Sequence, residues 1–228
     1  MDLKELDRVN PETHWYYQSK LLAILRLIQK SGRKPNSVVD VGAGSGFFGK
    51  SIQKKLQIQN LICVDTNYGE EWTEPGIIYK NSGSECSAEL YLFIDVLEHV
   101  QNDKALVKDY LEDALPNSIF VVTVPAFMSL WSGHDEYLEH VKRYRVDELE
   151  CLVEELGAKT IRKGYLFSLI FPLAWVVRKI PPNKKKNSSM KEISRPINTI
   201  LRLVTSIEHR FTRNPLFGLS AYILFRKT

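Results

Sequence analysis

The chain has 228 residues, of which 44% are hydrophobic and 25% charged, and its formal net charge is +4. This length suits one α/β domain with a substantial core and is too short for two large domains. A charge excess this modest argues against nucleic-acid binding, which usually needs a basic face interleaved with aromatic residues.

The first half of the chain alternates helix and strand signals. Apolar residues recur at helical spacing from Leu21 to Ile28 and stop at Ser31-Gly32, which predicts a helix before the sheet. The β-branched run Ser37–Val41 stops at a glycine cluster, as a buried strand would. The same criteria predict a helix over 47–56 and another through 105–107, and strands over 60–65, 77–79 and 90–95.

The second half continues this alternation and then departs from it. A fifth strand is predicted over 119–124, a helix over 146–156 and a sixth strand over 159–163. Residues 218–225 form the seventh and last predicted strand. Between the last two strands, apolar residues step by three and four and predict one helical stripe, made of Ile197, Ile200, Val204, Ile207 and Phe211.

This order of elements predicts an α/β, Rossmann-like, doubly wound sheet of seven strands, mostly parallel, with helices on both faces. We expect a single domain over 1–228, with an N-terminal helical cap over 1–35. A helical lid or insertion is expected over 165–213, before the last strand. Its part 181–194 is predicted to be flexible, because two prolines are followed by a lysine run.

The cysteines and the apolar segments bear on the compartment. Cys63, Cys86 and Cys151 are widely spaced and form no CxxC pair, so we expect a reducing compartment and neither disulfides nor a zinc site. No metal site is predicted. The first residues carry no apolar signal segment, and the longest apolar run, 165–177, is shorter than the roughly 20 residues that span a bilayer. These features predict a cytoplasmic protein.

Three glycines follow the first strand, and two later strands end in carboxylates. Gly42, Gly44 and Gly46 allow a tight turn whose backbone N–H groups approach a ligand closely. Asp65 and Asp95 come at the ends of the second and fourth strands, where ligands of open α/β sheets bind. An acid at the end of the second strand is well placed to accept hydrogen bonds from both hydroxyls of a ribose.

The glycine loop is compatible with more than one ligand. Gly44 to Gly49 also satisfies GxGxxG, and Asp65 lies about 20 residues on, as the dinucleotide fingerprint requires. An NAD(P)-dependent oxidoreductase is therefore an alternative, disfavoured by the acid Asp40 before the loop and by the lack of a Tyr-x-x-x-Lys run after it. A third alternative is a non-catalytic module of the same fold that binds a partner through 165–175.

The motifs together resemble those of a known family. Val38 to Gly46, then Val64-Asp65, then Asp95 to Val100 are similar to three successive motifs of class I S-adenosylmethionine-dependent methyltransferases. The segment 124–144 resembles a narrower, methyltransferase type 11-like branch, whose members accompany bacterial sugar, lipid or secondary-metabolite pathways. The resemblance runs from about residue 14 to the end. It implies S-adenosylmethionine as cofactor, methyl transfer as activity, and an antiparallel last strand.

The resemblance also implies which residues meet the cofactor. Asp40 would help to hold its cationic methionine end, and Lys20 would meet its carboxylate. The acid expected at the adenine is missing from 80–83, so Asn81 or Ser82 is expected to replace it. The full set implied as cofactor contacts is Tyr16, Lys20, Asp40, Gly42, Ala43, Gly44, Gly46, Phe47, Asp65, Thr66, Asn81, Asp95 and Val96.

The methyl acceptor is expected beside the segment after the fifth strand. His134 or His140 would act as general base, assisted by Asp135, because a histidine titrates near neutrality and a carboxylate can orient it. Glu98-His99 is expected to organise the turn after the fourth strand. The residues expected to bind the acceptor are Trp131, Arg143, Tyr144, Tyr165 and Phe167.

The expected partner is a small-molecule or lipid-linked acceptor. The aromatic and aliphatic segment 165–175 has several readings, which the sequence leaves open. Four roles are open for this segment. It covers the acceptor site, contacts a membrane surface, forms a homodimer interface, or packs in the core against the helix that carries the stripe from Ile197 to Phe211.

Overall fold

The computed structural model describes residues 9–83, 85–179, 193–211 and 216–228. The strands are β1 Ser37–Val41, β2 Asn60–Val64, β3 Trp72–Glu74, β4 Ile77–Lys80, β5 Leu90–Ile94, β6 Ile119–Pro125, β7 Lys159–Leu166 and β8 Ser220–Arg226. The helices are α1 Trp15–Lys30, α2 Phe47–Leu56, α3 Asp103–Asp113, α4 Gly133–Tyr137, α5 Val146–Glu155, α6 Phe171–Lys179 and α7 Arg195–Phe211. Short 3-10 turns cover Leu97–His99 and Met128–Leu130.

The described strands form one sheet in the order β3-β4-β2-β1-β5-β6-β8-β7. Neighbours from β4 through β6 pair in parallel, and β8 is antiparallel to both β6 and β7. This confirms the doubly wound, mostly parallel sheet with an antiparallel last strand. The strand order reverses at β1, whose neighbours are β2 and β5. Ligands of such sheets bind at the carboxyl ends of the strands beside this reversal.

The sheet has one strand more than the sequence predicts. The additional strand, β3, has three exposed residues and pairs antiparallel with β4 at the edge of the sheet. Its Trp72 stacks on Tyr79 of β4 with ring centroids 4.0 Å apart. A strand of this length has no hydrophobic alternation, which explains why the sequence pattern does not reveal it.

The core lies on both faces of the sheet. All five residues of β5 are buried, with Leu90 and Leu92 in one hydrophobic cluster and Tyr91 and Phe93 in the other. Because successive strand side chains point to opposite faces, a central strand with both faces covered reads as an unbroken apolar run. The first cluster includes the apolar residues of α1 and α2, and the second includes those of α3 and α5.

Helix α7 is attached to the rest of the fold through polar side chains. Asn198 Oδ1 accepts a hydrogen bond from Trp15 N at 2.8 Å, and the Thr205 and Ser19 hydroxyls are 2.6 Å apart. The buried Glu208 accepts hydrogen bonds from the backbone N–H groups of 168 and 169. The apolar residues Ile197, Ile200, Leu203 and Ile207 are instead each more than half exposed.

The alternative in which segment 165–175 packs in the core against the apolar stripe of α7 is therefore not supported at Ile197, Ile200 and Ile207, which are exposed. Polar groups hold the helix, so its apolar side faces outward. On the neighbouring α6, Leu173, Trp175 and Val176 are exposed as well. No helix among the described residues is long and apolar enough to cross a membrane. Most of the predicted flexible segment, 181–192, lies outside the described residues.

Candidate cofactor and acceptor site

A cavity of about 1000 Å³ lies at the carboxyl ends of the parallel strands. Its wall includes the end of β1 with Gly42, the end of β2 with Asp65, the end of β5 with Asp95, and Pro125 at the end of β6. The start of α1, one side of α3 and the segment 134–143 also line the cavity. The cavity therefore occupies the position that the strand order predicts for a ligand.

The loop between β1 and α2 requires glycine at the cavity wall. Gly42 has φ +64°, and a Cβ there would lie 2.6 Å from Cγ2 of Val96. Gly44 has φ +53°, and its N–H donates a hydrogen bond to Asp65 Oδ2 at 2.7 Å. A side chain at either position would be strained by the left-handed backbone. The turn thus brings backbone and carboxylate together at one edge of the cavity.

Asp65 is held in place by the loops around it. Its Oδ1 accepts hydrogen bonds from the backbone N–H and the side-chain amide of Asn67, both at 2.9 Å. The hydroxyl of Tyr68 donates to the carbonyl of Gly44 at 2.7 Å and secures the other side of the turn. Together with the Gly44 N–H, these donors use three of the roughly four acceptor positions of the carboxylate, which leaves one for a ligand hydroxyl.

Asp40 lies behind the glycine loop and does not line the cavity. It is buried, and its Oδ2 accepts a hydrogen bond from Gly49 N at 2.9 Å. Burial raises the pKa of Asp40 to about 6, against the opposing effect of this hydrogen bond. The predicted direct contact with the cofactor is therefore replaced by an indirect role, in which Asp40 anchors the start of α2 to β1.

Lys20 is completely buried and bonds to the carboxylate of Asp95. Its ammonium also lies 4.7 Å from the centre of the Tyr16 ring. Burial lowers the pKa of Lys20, but the neighbouring Asp95 and Tyr16 outweigh it and raise that pKa above its usual value. Lys20 thus stays charged and fixes Asp95. It is predicted to meet the carboxylate of the cofactor, but it does not line the cavity.

Asp95 itself lines the cavity with a strained backbone. Its φ is +56°, a value that costs a residue with a side chain on the order of 1 kcal/mol. The conformation is held by Lys20 and by the hydrogen bond from Asp95 N to the carbonyl of Thr123 at 2.8 Å. Strain of this kind persists where the surroundings fix the residue, as at ligand sites.

Beyond β6, Asp135 is fully buried and joins two predicted site residues. Arg143 donates to it through Nε at 2.7 Å and Nη2 at 2.9 Å, and His140 Nδ1 lies 3.0 Å from its Oδ1. Burial raises the pKa of Asp135, but the bonds from His140 and Arg143 outweigh it and hold that pKa well below its usual value. Asp135 is therefore an ionised positioning residue for His140.

The predicted acceptor residues divide into two groups. His134, His140 and Arg143 line the cavity, as do the predicted cofactor contacts Tyr16, Thr66, Asn81 and Val96. The other predicted residues do not reach its wall and lie behind it or beside it, namely Ala43, Gly46, Phe47, Trp131, Tyr144, Tyr165 and Phe167.

The three buried aromatic residues of the second group have internal roles. The Tyr144 hydroxyl lies 2.8 Å from Asp103 Oδ2, and the Tyr165 hydroxyl accepts a hydrogen bond from Val146 N at 3.1 Å. Phe167 is fully buried and stacks on Tyr16 with ring centroids 5.2 Å apart. In this geometry they pack outside the cavity lining, and a contact with the acceptor stays a prediction.

The cavity wall also includes residues outside the predicted cofactor and acceptor contacts. Trp15 and Tyr17 line one side, and Tyr110 of α3 lies so close to Gly83 that a Cβ there would be 2.1 Å from its hydroxyl. Glu98 and His99 also line the cavity. Burial and the neighbouring Asp95 raise the pKa of the buried Glu98 well above its usual value. Glu98 and His99 follow the end of β5 by one turn, and this position beside the ligand-binding edge of the sheet is the sequence signal that marks them.

Comparisons with known proteins relate this architecture to solved structures. No family model and no curated protein matches the chain. A SAM-dependent methyltransferase from Archaeoglobus fulgidus is 18% identical, with a TM-score of 0.52 over 92% of this chain and 94% of that one. The plantazolicin methyltransferase BpumL, solved with a monoazolic desmethylPZN analog and SAH, is 13% identical, with a TM-score of 0.57 over 92% of this chain and 84% of that one.

A third similar structure is the [4+2]-cyclase SpnF, which is 11% identical, with a TM-score of 0.52 over 84% of this chain and 74% of that one. At such low identities the likeness concerns the fold alone. The chain has the fold of class I S-adenosylmethionine-dependent methyltransferases. Because SpnF is described as a cyclase, the fold by itself does not decide the reaction.

Proposed function

We propose that this chain binds S-adenosylmethionine and transfers its methyl group to a small-molecule or lipid-linked acceptor. The observation that carries the proposal is the hydrogen bond from Gly44 N to Asp65 at the point where the strand order reverses. This bond holds a backbone turn and a carboxylate side by side at the wall of one cavity. A nucleoside with a free ribose diol is bound by groups of these two kinds. Asn81, at the rim beside Gly83, would meet the adenine edge.

The residues around the cavity suit this reaction. S-adenosylmethionine supplies an activated methyl group with a good leaving group, so the protein mainly has to align the acceptor and exclude water. Trp15, Tyr16 and Tyr17 form an aromatic wall that would exclude water from the bound cofactor. His134 and His140 line the acceptor side, where either would take a proton from a hydroxyl or amine.

The alternative ligand is a nicotinamide dinucleotide, and calorimetry separates the two. Purified protein should bind S-adenosylmethionine and its demethylated product S-adenosylhomocysteine, and it should not bind NAD(H) or NADP(H). Binding of a nicotinamide without either adenosyl compound would overturn the proposal in favour of an oxidoreductase. Absence of heat with all of them would favour the non-catalytic module, provided that circular dichroism shows a folded protein.

We also propose that the apolar side of α6 and α7 contacts the surface of an anionic membrane. From 171 to 213 the sequence holds ten Lys or Arg against two Glu, so this part has charge +8 and the remainder −4. Exposed Ile200 and Leu203 lie in the same segment. An amphipathic helix with basic and apolar groups is typical of proteins that bind the headgroup region of anionic bilayers.

The position of this surface fits a lipid-linked acceptor. Leu216 and Phe217 are exposed, and Leu219 and Ser220, a few residues later, line the cavity. Exposed apolar side chains and cavity-lining residues are thus only a few positions apart along the chain. An acceptor held in a bilayer would reach the site without fully entering water.

Vesicle flotation tests the membrane contact. The protein should float with anionic vesicles and not with neutral ones, and the double variant Ile200→Glu/Leu203→Glu should abolish flotation. Leu115→Glu is the matched control, because Leu115 is an exposed leucine outside this surface. Failure to bind anionic vesicles would overturn the membrane contact. A dimer that the same double variant dissociates would then identify the surface as a subunit interface.

A further inference from the structure

Three side chains that can coordinate a metal ion lie close together at the acceptor side of the cavity. One ligand atom each from Glu98, His99 and His140 lies within 4.8 Å of the others. The two imidazole rings are nearly perpendicular, with centroids 4.7 Å apart. Around an ion with bonds of about 2.1 Å, ligand atoms are roughly 3.5 Å apart, so small side-chain rotations would close the set.

Glu98 is a buried carboxyl group whose Oε2 is left without a hydrogen-bond partner among the described residues. It is 1% exposed and lines the cavity. Two cations, Lys20 and Arg143, act electrostatically on Glu98, but each is bonded to another carboxylate. Where a buried carboxyl group is ionised, it is paired with a cation or coordinates a metal ion, and both nearby cations are already paired.

His140 is oriented as a metal-ligating histidine usually is. Its Nδ1 is bonded to Asp135 at 3.0 Å, which leaves Nε2 as the available ligand atom. Asp135 is in turn fixed by Arg143 and by Ser132 N, which donates to its Oδ2 at 2.8 Å. This chain of bonds sets the tautomer and direction of the ring before any ion arrives.

We propose that Glu98, His99 and His140 form a binding site for one divalent transition-metal ion of the zinc or iron type. Two imidazoles and one carboxylate match the ligands that such ions prefer, and magnesium prefers oxygen ligands alone. Three protein ligands leave at least one coordination position open. Because all three side chains line the cavity, an oxygen of a bound acceptor would be able to reach the ion.

This inference adds a substrate class to the proposed function and rests on it only in that respect. An acceptor hydroxyl bound to the ion would lose its proton more readily, and the proton would pass to His134 or to water. The acceptor class is therefore an alcohol or a phenol. With the ion in place, His140 is a ligand and does not act as general base.

Titration with cobalt(II) and zinc(II) after treatment with a chelator tests the site. The full-length protein should take up one ion per chain, and cobalt should give the visible absorption of a nitrogen- and oxygen-ligated site. We expect Glu98→Gln and His140→Gln each to weaken binding at least tenfold, and Asp135→Asn to weaken it by about 10- to 100-fold. His134→Ala is the matched control and should bind the ions as the unchanged protein does, because His134 lines the cavity outside the cluster.

Circular dichroism of each variant establishes that it is folded before binding is compared. If the folded protein shows no saturable uptake of either ion, or if uptake survives both ligand variants, the metal site is refuted. Binding of S-adenosylhomocysteine by the chelator-treated protein is measured in parallel. Cofactor binding without metal uptake would refute the metal site and leave the proposed function standing.

Discussion

Lys20 of α1 and Asp95, at the end of β5, form an ion pair in which the lysine is fully buried and the carboxylate lines the cavity. The pair joins an N-terminal helix to the strand end beside the reversal of strand order. It therefore couples the stability of the fold to the shape of the site.

We expect Lys20→Met to lower the free energy of unfolding by about 3 kcal/mol, because it leaves Asp95 without its buried partner. The double variant Lys20→Met/Asp95→Asn should lose clearly less than the sum of the two single variants. Urea unfolding measures all three. Lys108→Met is the control, since Lys108 pairs with Glu112 on the surface and should change stability by less than about 1 kcal/mol. Strictly additive losses would show that the pair is not coupled.

The glycine loop predicts a matched pair of alanine substitutions. Gly32→Ala should cost about 1 kcal/mol, because Gly32 has φ +74° but nothing lies within 4 Å of an added Cβ. Gly42→Ala should cost about 1–3 kcal/mol more, because of the contact with Val96. Thermal or urea unfolding measures both, and Val96→Ala added to Gly42→Ala should recover part of the loss. Equal costs at the two glycines would contradict the close approach.

Burial of Asp40 predicts a specific pH dependence of stability. Because the pKa of Asp40 is about 6 in the folded protein and about 4 when unfolded, the folded state holds the proton more tightly. Its contribution to stability is therefore full below pH 4 and is lost as the pH rises to 6, by about 3 kcal/mol in all. We expect the stability of Asp40→Asn relative to the unchanged protein to rise over this interval and to level off above it.

Urea unfolding of both proteins between pH 4 and pH 8 gives this difference. Groups that titrate equally in the two proteins cancel in the comparison. A difference that is independent of pH would mean that Asp40 titrates at its ordinary value.

The two cavity histidines predict a loss of turnover. Once an acceptor is identified, the double variant His134→Ala/His140→Ala should lower turnover at neutral pH by about 10²- to 10⁴-fold, because it removes both predicted general bases. Binding of S-adenosylhomocysteine, measured by calorimetry, should change little. Unchanged turnover would exclude a catalytic role for either histidine.

The parts of the fold that the sequence predicts well are those set by local pattern. Buried runs such as Ser37–Val41 and Leu90–Ile94, each followed by glycine or aspartate, specify both the strands and the edge where the site lies. The sixth strand is predicted to end at Lys163, three residues too early. Gly164 interrupts the sequence pattern of the strand, whereas β7 continues to Leu166.

The parts that the sequence does not predict depend on contacts between distant residues. Lys20 and Asp95 are 75 positions apart, so spacing along the chain cannot reveal their pairing. The helical stripe of α7 identifies an apolar side but not which side faces the core, since that depends on polar partners such as Ser19 on α1. Likewise, the partners of the Tyr144 and Tyr165 hydroxyls are 41 and 19 positions away, so spacing along the chain does not reveal them.

The most direct test of the account is the affinity of purified protein for S-adenosylhomocysteine, before and after substitution of Asp65. This nucleoside should bind in the micromolar range or tighter. Asp65→Ala should weaken its affinity about 100-fold, because the carboxylate that accepts a hydrogen bond from the ribose is gone. Glu71→Ala, at an exposed acid outside the cavity, should leave the affinity unchanged. Equal affinity of the unchanged protein and the Asp65 variant, or no binding to a folded protein, would contradict the central claim.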